Sequence, residues 1–286
     1  MSLIGNACPC GSGKTYEECC KKYFSLLQFS PRKIEESYLL EWFNKYSEPV
    51  KETFIKKTKK YLFQISEYLN TIIDFYYGRG YPSLIVSDNY NDGFNGLINN
   101  ATHTFLCATH CLAYGLFLPH GVLLRSFLEI CFTIQIVSED MKKMEQFEKG
   151  ELNTKGVLHK IKKIMPDFIT DFYYYLTANY SHCGPFHQAL FMPRTCYPDN
   201  YEIMVGLNNL ALSTLIYHIT LELAYLNQIK EPQLWLKEEH KYIDTSSFSE
   251  WQYLFYEDVL ADFPPDEKKF YIIYSRKHIK PKMKKR

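Results

Sequence analysis

Between residues 94 and 124 the chain carries no Asp, Glu, Lys or Arg. A stretch that long without charge has to be taken out of water. A membrane span wants about twenty predominantly apolar residues, whereas Asn95, Asn99, Asn100, His103, Thr104, His110 and His120 are scattered through this one. It is therefore expected to be a buried helix of a bundle, with His and Asn on its polar edge, rather than a span. Residues 205–221 are uncharged as well, and Glu222 closes them; both stretches are expected to be core helices. With 286 residues the chain is long enough to bury a sizeable core. Its formal net charge of +1 argues against a general polyanion-binding surface.

The other segments support the same class. Ser30 and Pro31 are suited to the N-cap and first position of a helix with Ile34, Leu39, Leu40 and Phe43 on its apolar side. Over 50–77, Phe54, Ile55, Leu62, Ile65, Leu69, Ile72, Ile73 and Tyr76 recur mostly at steps of three and four, which predicts a helix. Lys51, Lys56, Lys57, Lys59 and Lys60 fall largely between them. Such a run is ordinarily a solvated face, with a nucleic-acid patch as the alternative. Residues 81–93 are expected to be a loop, and 95–117 and 119–137 two apolar helices joined at Leu118-Pro119. A charged stretch over 138–152, a basic helix near 155–165 and a helix over 167–179 follow. Residues 181–200 form the longest irregular segment in the middle of the chain, and such loops are often functional. A helix over 202–228, shorter ones near 233–242 and 247–260, a strand or packed coil at 270–274 and a basic tail complete the expectation. The predicted fold is all-α: a helical bundle over 25–262, a small knuckle over 1–24 and a C-terminal tail over 263–286.

The knuckle rests on Cys8, Cys10, Cys19 and Cys20, in the string CPCGSGKTYEECC. Zinc takes four tetrahedral ligands and binds thiolate well. Gly11 and Gly13 let the intervening backbone turn without a Cβ clash. A segment this short cannot bury a core, so it needs a metal or a disulfide to hold a shape. Residues 1–7 show neither a basic nor a long apolar run of the secretory kind. The expected compartment is therefore the cytoplasm, where clustered thiols stay reduced and Zn2+ is the better reading. Gly13-Lys14-Thr15 also imitates the end of a phosphate-binding loop, but that motif needs a glycine where Cys8 stands and a buried strand before it.

The same string resembles the SEC-C motif, the zinc-binding tail of the translocation ATPase SecA that recurs in many other bacterial proteins. Its pattern is CxC, eight residues, then Cys-Cys or Cys-His. Cys8, Cys10 and Cys19 match the first three ligands, Cys20 the fourth, and Gly11, Ser12, Gly13, Lys14 and Tyr16 the body. The resemblance implies a structural zinc knuckle with four protein ligands and no open coordination position. It also implies contacts with a protein or ribosome partner rather than chemistry. No helicase-type motor follows, so SecA itself is not implied.

Candidate chemistry lies in a few ionisable groups on otherwise apolar segments. Arg125 and Glu129 are spaced i,i+4, as are His218 and Glu222, while His182 and His187 stand in the loop YSHCGPFH. A charge in a core must be paired or face a cleft. One reading is a structural ion pair. The other is a polar pocket in which Arg125 binds an anion such as phosphate, His182 acts as acid or base and Glu129 orients one of them. LLRSFLEI at 123–130 followed by YSHCGP at 180–185 resembles uncharacterised bacterial helical proteins that look like HEPN-type domains. That resemblance implies an RNA-cutting toxin or abortive-infection effector. The HEPN ribonuclease motif is Arg, four to six residues, then His; no Arg here has a His at that spacing, so Arg125 and His182 reproduce it only if the fold joins them. Cys107, Cys111, Cys131, Cys183 and Cys196 are expected to be buried free thiols. A second metal site is the alternative for the i,i+4 pair Cys107 and Cys111.

Overall fold

The computed structural model describes residues 48–73, 88–138, 140–152, 154–181 and 201–226, with Thr15, Glu18 and residues 235, 236, 241 and 242. The described elements are α1 (Glu48–Ile73), α2 (Asp88–Ala113), α3 (Phe117–Ser138), α4 (Met141–Glu148), α5 (Thr154–Ile164), α6 (Asp167–Leu176) and α7 (Tyr201–Ala224). A π-helical turn, Thr177–Ser181, extends α6. Two-residue strands β1 (Trp235–Leu236) and β2 (Lys241–Tyr242) pair antiparallel, Trp235 opposite Tyr242. The described fold is thus an all-α bundle, as expected. The helices expected near 34–43 and 247–260, the strand or coil at 270–274 and the tail lie outside the described residues.

Helix α3 is the hub. By length and composition it could cross a membrane, yet over half of its most apolar window is buried inside the fold. It packs on α2 and α7 most extensively and touches α4, α5, α6 and the π-turn as well. Phe127, Leu128, Leu124, Cys131 and Ile134 are fully enclosed in it. Helix α7 is buried on almost every side from Ser213 to Glu222, which is why its sequence shows no charge between Glu202 and Glu222. Helix α1 is amphipathic, burying Phe54, Tyr61, Ile65 and Ile72 on one face, as three- and four-residue spacing requires.

Several boundaries differ from the sequence reading. The joint between the two apolar helices is Tyr114–Leu116 rather than Leu118-Pro119. Gly115, at φ 71°, adopts the left-handed conformation, its N–H donating to Leu112 O while Leu116 N–H donates to Cys111 O. This is a glycine-terminated helix end, and Pro119 instead occupies the first turn of α3, where its missing N–H costs nothing. Helix α2 begins at Asp88, inside the expected loop. The charged stretch 138–152 contains α4, capped by the Asp140 carboxylate accepting from Lys142 N–H and ended at Gly150, φ 70°. The helix expected near 233–242 is replaced at its described residues by the β1–β2 ladder. Trp and Tyr favour such pairing.

Glycine allows close approaches between the central helices. A Cβ at Gly206 of α7 would run into Leu112 of α2, and one at Gly121 of α3 would run into the Tyr180 ring. Each allows a neighbour closer than any other residue would.

Candidate functional site

Arg125 and Glu129 emerge side by side on the flank of α3 that faces α6. Arg125 Nη2 donates to Glu129 Oε1 at 2.9 Å, and Tyr173 of α6 donates its hydroxyl to the same oxygen at 3.0 Å. The guanidinium lies 5.7 Å from the Tyr173 ring centroid, a cation–π distance. The Tyr173 hydroxyl and the Glu129 charge hold the guanidinium proton more tightly than usual, against partial desolvation. Their side chains are 31% and 46% exposed. The i,i+4 spacing thus forms an ion pair, and Tyr173, which the sequence reading missed, completes it. Arg125 Nε is buried without a hydrogen bond among the described residues.

His182 and His187 lie outside the described residues. The π-turn that leads to them is described. Tyr180, buried, rests its ring on Gly121, one helical turn before Arg125, and accepts a hydrogen bond from Asn209 Nδ2 at 3.4 Å. The chain entering the YSHCGP segment therefore starts against the Arg125 helix. Turns of this π type recur at functional sites.

A second polar group lies in the core. His218 Nδ1 is 2.7 Å from the Tyr68 hydroxyl, and His218 Nε2 is 3.5 Å from Glu222 Oε2. Glu222 is fully enclosed and His218 nearly so. The spacing of His218 and Glu222 was legible; Tyr68, which comes from α1, was not. Nearby, His120 is buried with Nδ1 2.9 Å from the Ala108 carbonyl. Burial pushes its pKa down to about 4, the Ala108 and Gly206 carbonyls opposing that in part; the imidazole is neutral near pH 7. Burial likewise drives the Cys131 thiol up, so Cys131 is an inert core thiol.

The expectation of buried thiols holds for Cys131 and fails for Cys107, which is exposed, with Cys111 half-buried. The reason is register: Phe105, Ala108 and Leu112 take the core face of α2, which turns Cys107 outward. Cys183 and Cys196 lie outside the described residues. Among the described lysines of α1, Lys56, Lys57, Lys59 and Lys60 are exposed, and Lys51 pairs with Glu48 at 2.8 Å. Ile55, just before Lys56, and Phe63, after Lys60, are exposed as well.

At the N-terminus, Cys8, Cys10, Cys19 and Cys20 lie outside the described residues, but Thr15 and Glu18 between them are placed. Thr15 Oγ1 donates to Glu18 Oε2 at 2.9 Å, Thr15 N–H points at the same carboxylate at 3.4 Å, and Glu18 N–H donates back to Thr15 Oγ1 at 3.3 Å. A further bond runs from Glu18 N–H to Thr15 O at 3.2 Å. These reciprocal bonds tie Thr15 to Glu18 in the pattern of a capping box. A family model described as the SEC-C motif matches residues 6–22. The chain carries a SEC-C motif. The match takes in all four cysteines and none of the helical bundle. No curated protein and no solved structure matches the chain. SEC-C motifs are generally zinc-binding, and the donor set in the sequence fits: four thiols, enough to complete a tetrahedron with no carboxylate or water ligand. If zinc is held, Cys8, Cys10, Cys19 and Cys20 would hold it, as a structural ion that ties the segment together.

Proposed function

We propose that the protein is a zinc-binding docking protein of the cytoplasm, whose SEC-C motif engages a protein or ribosomal partner while the bundle supplies a second surface. The observation that carries this reading is the SEC-C match over residues 6–22, with four cysteines present as a complete ligand set. A filled thiolate shell leaves no position for substrate, which suits a knuckle to recognition rather than catalysis. Purified protein should contain one zinc and co-sediment with ribosomes or capture a defined partner. Cys19→Ser with Cys20→Ser should remove both the zinc and the capture while the helical circular-dichroism signal persists. Capture by the double variant equal to wild type would sink the proposal.

A second reading is an RNA-cutting enzyme of HEPN-like type using Arg125, Glu129 and His182. Its support is the Tyr180–Gly121 contact, which starts the His182 segment on the Arg125 helix. The Arg125–Glu129 pair is equally well accounted for as structural. Strong expression should fragment RNA and arrest growth, with relief by Arg125→Ala or His182→Ala; intact RNA and normal growth would end it.

A further inference from the structure

Helix α2 presents two histidines and two cysteines within a nine-residue stretch of its outer face: His103, Cys107, His110 and Cys111. His103, Cys107 and His110 are exposed, and Cys111 is half-buried. Cysteine is among the residues most often buried, and an exposed one is rarely explained by packing. Cys107 is the hub of the group. It stands one turn from each of the others, four after His103, three before His110 and four before Cys111. Helix positions three and four apart bring Cβ atoms to about 5–6 Å, and the i,i+4 spacing is the one by which two histidines of a single helix grip zinc. The His110 ring also packs edge-on to Tyr114, centroids 4.7 Å apart, and Tyr114 is tied to Glu48 by a 2.8 Å hydrogen bond. One donor of the set is therefore steadied from the α1 side.

The geometry points to a surface site for a thiophilic divalent metal ion on α2, with Cys107 and Cys111 as thiolate ligands and His110 as the imidazole ligand. His103 lies one turn from Cys107 but further from His110 and Cys111, and is left out of the ligand set. Among the described residues no three metal-ligating side chains converge as placed. Closure requires the Cys107, Cys111 and His110 side chains to turn toward one another, His110 shifting from its contact with Tyr114. Thiolate with imidazole is the donor combination that zinc and its heavier congener cadmium prefer. Half-burial and the neighbouring Cys107 both raise the Cys111 thiol. An ion bound there displaces thiol protons, so affinity falls with pH.

This site is independent of the SEC-C motif, and its test removes that motif. Full-length protein with Cys8, Cys10, Cys19 and Cys20 all changed to Ser is titrated with cadmium, and the thiolate-to-metal ultraviolet absorption is followed. One cadmium should bind with a thiolate band, the band should vanish on adding Cys107→Ser and Cys111→Ser, and His110→Ala should weaken binding. Helical circular dichroism should be unchanged throughout, since Cys107 and His110 are on the surface. Absence of the band in the four-serine protein, its persistence without Cys107 and Cys111, or its loss on Cys183→Ser or Cys196→Ser alone would each overturn the inference.

Discussion

Glu222 is the most demanding residue of the bundle, a carboxyl group wholly enclosed beside His218, which in turn meets Tyr68. Enclosing such groups is costly unless each is paired. Arg125 and Glu129 have the same i,i+4 spacing but keep much of their surface in water. The two pairs should therefore behave oppositely when cut. His218→Ala should cost about 3 kcal/mol, through the cavity it leaves and the partner it takes from the Tyr68 hydroxyl, whereas Arg125→Ala should cost about 1 kcal/mol or less, as for a surface pair. Denaturant unfolding of the two variants beside wild type checks this; equal losses would show that burial is not what separates them.

At the scale of elements, glycine and a π-turn decide how α6 and its extension meet α3. Tyr180 reaches the α3 backbone only because Gly121 has no side chain. Gly121→Ala should force the Tyr180 ring away and cost about 1–3 kcal/mol, the usual range for overpacking, although alanine is the better helix former. The matched control is Gly96→Ala on the open side of α2, where an added Cβ meets nothing; it should leave stability equal or raise it. Thermal unfolding of the two variants gives the contrast. A Gly121→Ala protein as stable as wild type would mean the π-turn is free to shift.

For the whole molecule, the buried neutral His120 links stability to pH. Its folded pKa, about 4, lies below the ordinary histidine value of 6.5, so the unfolded chain binds the proton more readily. The contribution is fully present above about pH 6.5 and is lost as pH falls toward 4, with a span of about 3 kcal/mol. Unfolding free energies measured across that window should rise with pH in wild type and rise less in His120→Gln; parallel curves would refute the assignment. The all-α class was legible because uncharged stretches and three-and-four spacing depend only on local sequence. So was the SEC-C motif, whose ligands are neighbours in the chain. The turn at Gly115 and helix α4 were missed although their signals, a glycine after an apolar helix and Asp140 before a short one, are local. Tyr173 beside Arg125, Tyr68 beside His218 and Tyr180 on Gly121 had no local signal at all, because each contact joins helices far apart in sequence. By itself, the sequence determined the long helices of the bundle, that a SEC-C motif stands at the N-terminus and which ionisable groups share a helix face. Only the tertiary structure decided which of those groups is enclosed and which is wet, and it turned Cys107 outward. Burial depends on how helices pack against one another, and no spacing within a single helix specifies that.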